Sequence, residues 1–232
     1  MTILLTAALV PPLFLLVQVY RMDKVEKEPK SLIVKLFLFG VLITIPAAIV
    51  ESLAEGVLSG ILSKETVLFI LIDNFLCVGL VEELVKYIAL KGVSWNHPAF
   101  NYTFDGIVYA VSVSIGFAAA ENVLYVMGAM NSGLATAAVR AVTSIPGHCI
   151  FAIYMGISYS LAKYYEDRGD LKLRQKYLNH ALIIPMLLHG FYDFCASMNS
   201  GTWTTVFLVF VVVLDVVAFR KIREMEREDR PL

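Results

Sequence analysis

Seven stretches of this chain are apolar over about 20 residues, the length a helix needs to cross the hydrocarbon core of a bilayer. They lie near 2–20, 31–53, 65–90, 104–128, 133–162, 177–197 and 203–220. The fold class they predict is all-α: a polytopic transmembrane helix bundle of about seven spans. Composition agrees, since 58% of the residues are hydrophobic and 17% charged, whereas soluble domains carry about a quarter charged. The mean hydropathy is +0.72. The expected location is the cell membrane, multi-pass, with the lipid bilayer as the first partner. A net charge of -1 gives no reason to expect nucleic acid. The first stretch does not read as a signal peptide, because it lacks a basic leader and its positive residues follow it.

Charge along the connections predicts the orientation. Segment 21–30 carries Arg21, Lys24, Lys27 and Lys30, and segment 91–103 adds Lys91. Segment 163–176 carries Lys163, Arg168, Lys172, Arg174 and Lys176, and the end of the chain carries Arg220, Lys221, Arg223, Arg227 and Arg230. The alternate connections, 54–64, 129–132 and 198–202, hold only Lys64. By the positive-inside rule the N-terminus faces out and the C-terminus faces the cytoplasm. An even number of spans would break the alternation. Residues 1–232 read as a single integral membrane domain with a motif-bearing core at 65–197, and the mixed-charge tail is expected to extend the last helix into water. Oligomeric state is not legible.

Against this apolar background, a few polar residues stand inside the spans. A charge at mid-membrane costs at least about 2.5–3.5 kcal/mol on insertion scales, so such residues line cavities or functional sites. On the third span, Glu82 and Glu83 lie four and three residues before Lys86, within reach of its ammonium along one helix. One self-neutralising pair near a helix end would explain one glutamate but not both. On the fourth span, Glu121 follows Gly116-Phe117-Ala118-Ala119-Ala120. No basic residue lies three or four positions away, so Glu121 must be protonated or paired with another span. Small residues before it would let a neighbouring helix approach closely.

The fifth span carries His148 directly after Pro146-Gly147, where a disturbed helix could aim an imidazole at a cavity. A hydrogen-bonded core histidine is the bland alternative. His189 and Asp193, four apart on the sixth span, share one face, and two costly residues stacked there are hard to explain as packing. Arg140 is a possible counter-ion without an assignable partner. Cys77, Cys149 and Cys195 all lie in apolar runs without metal-ligand spacing and read as buried small residues. Cys149, beside His148, is an alternative thiol nucleophile.

Four strings in order, Glu82-Glu83-Leu84-Val85-Lys86, Phe117-Ala118-Ala119-Ala120-Glu121, His148 after Pro146-Gly147, and His189-Gly190-Phe191-Tyr192-Asp193, cover about residues 75–195. Together they resemble the PrsW family of intramembrane proteases, a glutamic-type group related to the CAAX prenyl endopeptidases. The related endopeptidases place an arginine one position after Lys86 and a histidine at the position of Glu121, so this chain resembles the PrsW side. The resemblance implies proteolysis of membrane proteins. The partner it implies is a membrane-protein substrate such as a single-span anti-sigma factor, cleaved in a first step of stress signalling.

The function expected is peptide-bond hydrolysis by a water molecule activated among Glu82 or Glu83, His148 and His189. One glutamate would be the general base, and the histidines would polarise the water or stabilise the oxyanion. Lys86 would offset the carboxylates, Asp193 would orient His189, and Glu121 would be a further acid. This scheme needs no cofactor. Zinc held by two His and a Glu is a variant, although HExxH is absent. A proton or ion pathway in a transporter is the alternative from another class, and a non-catalytic scaffold is the last. One geometric difficulty stands out. Counted along straight helices, Glu83 lies about 10 Å and Glu121 about 25 Å from the inner boundary. A water-filled cavity walled by the spans at 65–90, 104–128, 133–162 and 177–197 is expected, with Pro146-Gly147 and Gly190 at its border and the first and last spans peripheral.

Overall fold

The computed structural model describes residues 1–232, with the side chain of Met130 excepted. Its helices are α1 (Thr2–Met22), α2 (Lys30–Ser59), α3 (Val67–Ile72), α4 (Leu80–Ser94), α5 (Asp105–Gly128), α6 (Gly133–Val142), α7 (Ser144–Asp167), α8 (Leu171–Ser197) and α9 (Gly201–Arg227). A π-helical segment, Asp73–Gly79, joins α3 to α4, so the nine pieces form seven long rods at the seven apolar stretches. Among the described residues, the only β pairing is a single bridge between Tyr102 and Pro231.

Five of the rods are long and apolar enough to cross a membrane: Thr2–Met22, Lys30–Ser59, Asp105–Gly128, Gly133–Asp167 and Gly201–Arg227. The other two are the rods that carry Glu82-Glu83-Lys86 and His189-Asp193. This is an all-α membrane helix bundle.

Helix α5 runs through the centre, buried over most of its length from Asp105 to Ala119. It packs against α1, α2, α4, α6 and α7. Glycines set how closely. A Cβ at Gly116 would stand 2.0 Å from the carbonyl oxygen of Phe37, and one at Gly40 2.0 Å from that of Val113. The expected close approach at Gly116 is thus made by α2. On the opposite side, a Cβ at Gly156 would meet Ile107 Cα at 2.5 Å, which fixes the α5–α7 crossing. The outer faces of α1, α2 and α9 expose residues such as Phe14, Leu42, Ile45, Val212 and Phe219, an apolar coat suited to lipid.

Two local features depart from the sequence reading. The fifth rod is not continuous: it breaks at Thr143, with φ −125° and ψ −75°. Pro146 therefore falls in the first turn of α7, where its missing N–H is one that would have no helical partner anyway. The chain end also differs from expectation. The last helix does extend through the charged tail to Arg227, but the residues after it fold back instead of continuing into water, and Leu232 N–H donates to the carbonyl of Asn101 at 2.9 Å. Asp229 Oδ1 accepts from Thr103 Oγ1 at 3.0 Å and from the N–H of Phe104 at 2.9 Å. It thereby satisfies an orphan donor at the start of α5.

The four basic segments meet at this end of the bundle. Asn101 Nδ2 donates to Glu26 at 3.2 Å, Trp95 Nε1 donates to Glu166 at 3.0 Å, and Lys24 pairs with Glu226.

Candidate active site

Each polar station is delivered by a different helix, and the helices converge. On α4, one turn of helix stacks Glu82 and Glu83 against Lys86, whose Nζ donates to Glu82 Oε2 and to Glu83 Oε1, each at 2.8 Å. All three are buried. The π-helical segment that leads into α4 carries one residue more per turn than an α-helix, which rotates the pair relative to α3. Its end is clamped by glycines: a Cβ on Gly79 would stand 3.1 Å from the backbone nitrogen of Gly190 in α8. That close approach brings His189 beside Glu83.

From α7, His148 Nδ1 lies 3.2 Å from Lys86 Nζ and its Nε2 lies 2.9 Å from Glu121 Oε2. An ammonium has only protons to give, so Nδ1 accepts from Lys86 and Nε2–H donates to Glu121. From α8, His189 Nδ1 donates to Glu83 Oε1 at 2.9 Å, and its Nε2 lies 3.1 Å from Asp193 Oδ2. A continuous polar chain therefore runs Glu121, His148, Lys86, Glu82 and Glu83, His189, Asp193. It brings together all seven residues singled out from the sequence. The depth difference counted along straight helices is bridged by the long arm of Lys86 and the width of the His148 ring.

Apolar and aromatic neighbours hold these side chains. Phe117, the first residue of the Phe-x-x-x-Glu string, places its ring centroid 4.3 Å from Lys86 Nζ. A cation over an aromatic face is stabilised without a further counter-charge. Phe151 stacks on His189 with centroids 4.9 Å apart, and the two imidazoles stand edge to face at 5.3 Å.

The chain borders a cavity of about 610 Å³. Its walls come from the four spans expected. In addition α2 supplies Thr44, Ala48 and Glu51, and α9 supplies Phe207, so the last span is not wholly peripheral. Three positions correct the sequence reading. Pro146 lines a separate apolar groove shared with α1 and α9, and Cys149 lies in that groove too. Adjacent helical residues point about 100° apart, so Cys149 faces away from the imidazole beside it in sequence and is no candidate nucleophile. Gly190 serves the contact with the π-helical segment rather than the cavity border.

Sequence reasoning leaves two cavity residues unassigned. Arg140 Nη2 pairs with Glu121 Oε2 at 2.8 Å, its Nε donates to Asn122 at 2.8 Å, and its guanidinium covers Tyr125. The lone Glu121 thus finds its partner on α6. Glu51 faces the cavity from α2, with its Oε1 buried and unpartnered. Its only signal is an acid near the end of the second apolar stretch, and α2 continues eight residues beyond it to Ser59.

The donor set suits a divalent metal ion. Glu82, Glu83, His148 and His189 each offer one oxygen or nitrogen, all within 4.8 Å of one another. Glu83 Oε2 is buried without a hydrogen-bond partner. The hydrogen-bonded chain also holds four carboxylates against only two permanent cations, Lys86 and Arg140, an excess of negative charge that a divalent cation would balance. Mixed imidazole and carboxylate ligands are those of catalytic zinc sites.

The chain is similar to known proteins over most of its length. Residues 28–219 match the family described as PrsW family intramembrane metalloprotease. The chain is 32% identical to Protease PrsW of Geobacillus kaustophilus over 98% of its own length and 94% of that protein. It is 33% identical to Protease PrsW of Halalkalibacterium halodurans, over 98% and 99% of the two chains. With Protease PrsW of Bacillus subtilis the identity is 32%, over 95% and 94%. No solved structure matches. The family match decides against the transporter and scaffold alternatives, and makes the chain a multi-pass membrane peptidase. On its motifs, its helical architecture and its full-length relatives, this protein belongs to the PrsW family of intramembrane proteases.

Proposed function

We propose that the protein hydrolyses a peptide bond of a membrane-protein substrate at the Glu82–Glu83–His148–His189 centre. The observation that carries this is the unbroken polar chain from Glu121 to Asp193 bordering a cavity inside the bundle. Glu82 is the general base, because it gives Oε2 to Lys86 and borders the cavity, whereas Glu83 is wholly buried. It takes a proton from the attacking water as the water oxygen bonds to the scissile carbonyl carbon. His148 and His189 lie beside the developing oxyanion and stabilise it electrostatically. As the carbon–nitrogen bond breaks, Glu82 returns the proton to the leaving amine. Glu83 and Asp193 position His189 from its two ring nitrogens, Lys86 holds both glutamates in place, and Glu121, anchored by Arg140, is a further acid.

A metal-assisted form of the same reaction is the second reading, favoured by the four-donor set and the orphaned Glu83 Oε2. Glu83, His148 and His189 would hold the ion, which when bound supplies Lewis acidity and a water of lowered pKa.

The substrate class follows the family resemblance: a single-span membrane protein, with an anti-sigma factor as the specific proposal. An apolar groove of about 830 Å³ between α2 and α5 shares Thr44, Ala48 and Leu124 with the polar cavity. It offers a substrate helix a lateral route from lipid to the centre.

The test is purified full-length protein with a single-span substrate. Glu82→Gln should lower kcat by about 10²–10⁴-fold, the usual worth of a general base. Cleavage that survives Glu82, Glu83 and His148 each changed to Ala rejects the assignment. Metal analysis decides between the two forms: full activity in a metal-free sample ends the metal reading, and chelator inhibition reversed by zinc supports it.

A further inference from the structure

A second cluster of acids lies far from this centre in the fold, at the end where the basic segments meet. Asp23 and Glu28 belong to the connection between α1 and α2, and Asp105 opens α5. All three are buried, at 1%, 2% and 0% exposure. One carboxylate oxygen from each lies within 4.8 Å of the others. Two oxygens held at 2.3–2.6 Å by one Ca²⁺ stand at most about 5 Å apart, so the spacing is that of a shared ion.

Their hydrogen bonds leave the cluster incomplete. Asp105 Oδ2 accepts from the N–H groups of Asn101 at 2.9 Å and Tyr102 at 2.7 Å, but its Oδ1 is buried without a partner. Glu28 accepts from the Tyr109 hydroxyl. Both oxygens of Asp23 are buried and unpartnered. The nearby lysines make no hydrogen bond to these carboxylates, although the Lys27 charge lies close to Asp23. Lys27 Nζ donates to the carbonyls of Tyr20, Arg21 and Asp23, and Lys24 pairs with Glu226. Burial pushes the Asp23 carboxyl up to about 6 and that of Glu28 up to about 7. Buried charges without partners are expensive, and are normally paired or coordinate a metal.

We propose that Asp23, Glu28 and Asp105 form a binding site for one hard divalent cation, of the Mg²⁺ or Ca²⁺ class, that fastens the α1–α2 connection to the start of α5. The ligands are oxygen alone, which selects hard cations and separates this site from the Glu/His centre with its two imidazoles. Because Asp229 from the chain end also binds at Thr103 and Phe104, the cation would brace the junction of connection, central helix and tail. The contribution is structural and needs no part of the catalytic reading.

The test uses full-length protein in detergent, stripped with EDTA and titrated with CaCl₂ or MgCl₂. Calorimetry and the thermal unfolding midpoint are the readouts. One cation per chain should bind and raise the midpoint. The response should persist in His148→Ala/His189→Ala, where the other centre has lost its imidazoles. In Asp23→Asn and Glu28→Gln, binding should weaken at least about tenfold, since affinity at such sites follows ligand charge. Both variants are close in shape to the native residues, and Asp105→Asn retains an acceptor for the Asn101 and Tyr102 N–H groups. Two results would overturn the proposal. One is a stripped protein indifferent to both cations and stabilised by Asp23→Asn, the behaviour of a cluster that merely shares protons. The other is a cation response lost in the double histidine variant but kept in Asp23→Asn.

Discussion

At the scale of single residues, the chemistry depends on groups that would be untenable alone in a bilayer and are stable only in company. Arg140 shows this well. Read along the sequence, it is a stray cation in an apolar stretch. In the fold it is bound to Glu121 Oε2 and Asn122, and it lies over Tyr125. Removing one partner of a buried pair leaves the other charge uncompensated, at a cost of up to about 3–5 kcal/mol. Arg140→Ala should therefore lower the thermal midpoint sharply, and Arg140→Ala/Glu121→Gln should recover part of the loss. Thermal unfolding of the four proteins in one detergent measures the coupling. A loss in the double variant equal to the sum of the two single losses would mean the pair holds nothing together. Glu121, Glu82, His148 and the rest are visible in the sequence as costly residues, but their partnerships are not. The i,i+4 geometry of one helix reveals Glu82–Lys86 and His189–Asp193, whereas Arg140 and Glu121 lie on different helices.

At the scale of elements, two interruptions shape the site. The π-helical segment Asp73–Gly79 sets the rotation of α4, and the break at Thr143 separates the helix that carries Arg140 from the one that carries His148. The sequence puts the disturbance at Pro146, but a proline is well tolerated in a first helical turn, and it marks the start of α7 rather than a kink within it. Glycine contacts then set the spacing between rods. Gly156→Val should destabilise the bundle by at least about 1–3 kcal/mol, the range for overpacking, because its new carbon meets the backbone of Ile107 at 2.5 Å. Wild-type stability in a denaturant titration would contradict that crossing. Access is also a property of elements. Ala48 on α2 is exposed and borders both the apolar groove and the cavity. Ala48→Trp should slow cleavage of a single-span substrate while leaving a short water-soluble peptide nearly unaffected. Comparing kcat/KM for the two substrates would show it, and equal effects on both would reject lateral access at α2–α5.

At the scale of the whole molecule, the bundle sorts its charges. Hydrogen bonds and ion pairs join segments 21–30, 91–103, 163–176 and the chain end, so the four positively charged segments occupy one end. By the positive-inside rule that end is expected in the cytoplasm. Lys172, on the first turn of α8, and Asn199, between α8 and α9, are both exposed and belong to opposite ends. In cells expressing the protein, Lys172→Cys should be labelled by an impermeant thiol reagent only after permeabilisation, whereas Asn199→Cys should be labelled in intact cells. The native cysteines are buried and give little background. The reverse pattern would invert the orientation. The tail after Arg227 belongs to the basic end, folded against residues 101–104 rather than free in water.

By itself the sequence determined the number and length of the rods, because apolar length is a local property with a fixed rise per residue. It also determined which side chains were too polar to be there by accident, because the cost of burying charge is a property of the residue. Tertiary structure alone decided which rods face one another and at what rotation. It turned His148 toward both Lys86 and Glu121, aimed Glu51 from α2 into the cavity, and gathered Asp23, Glu28 and Asp105 at the opposite end of α5 from Glu121. Those outcomes follow from backbone contacts at glycines, a π-helical turn and a break before Pro146. Each acts between segments distant in sequence, where the periodicity of a single helix carries no information.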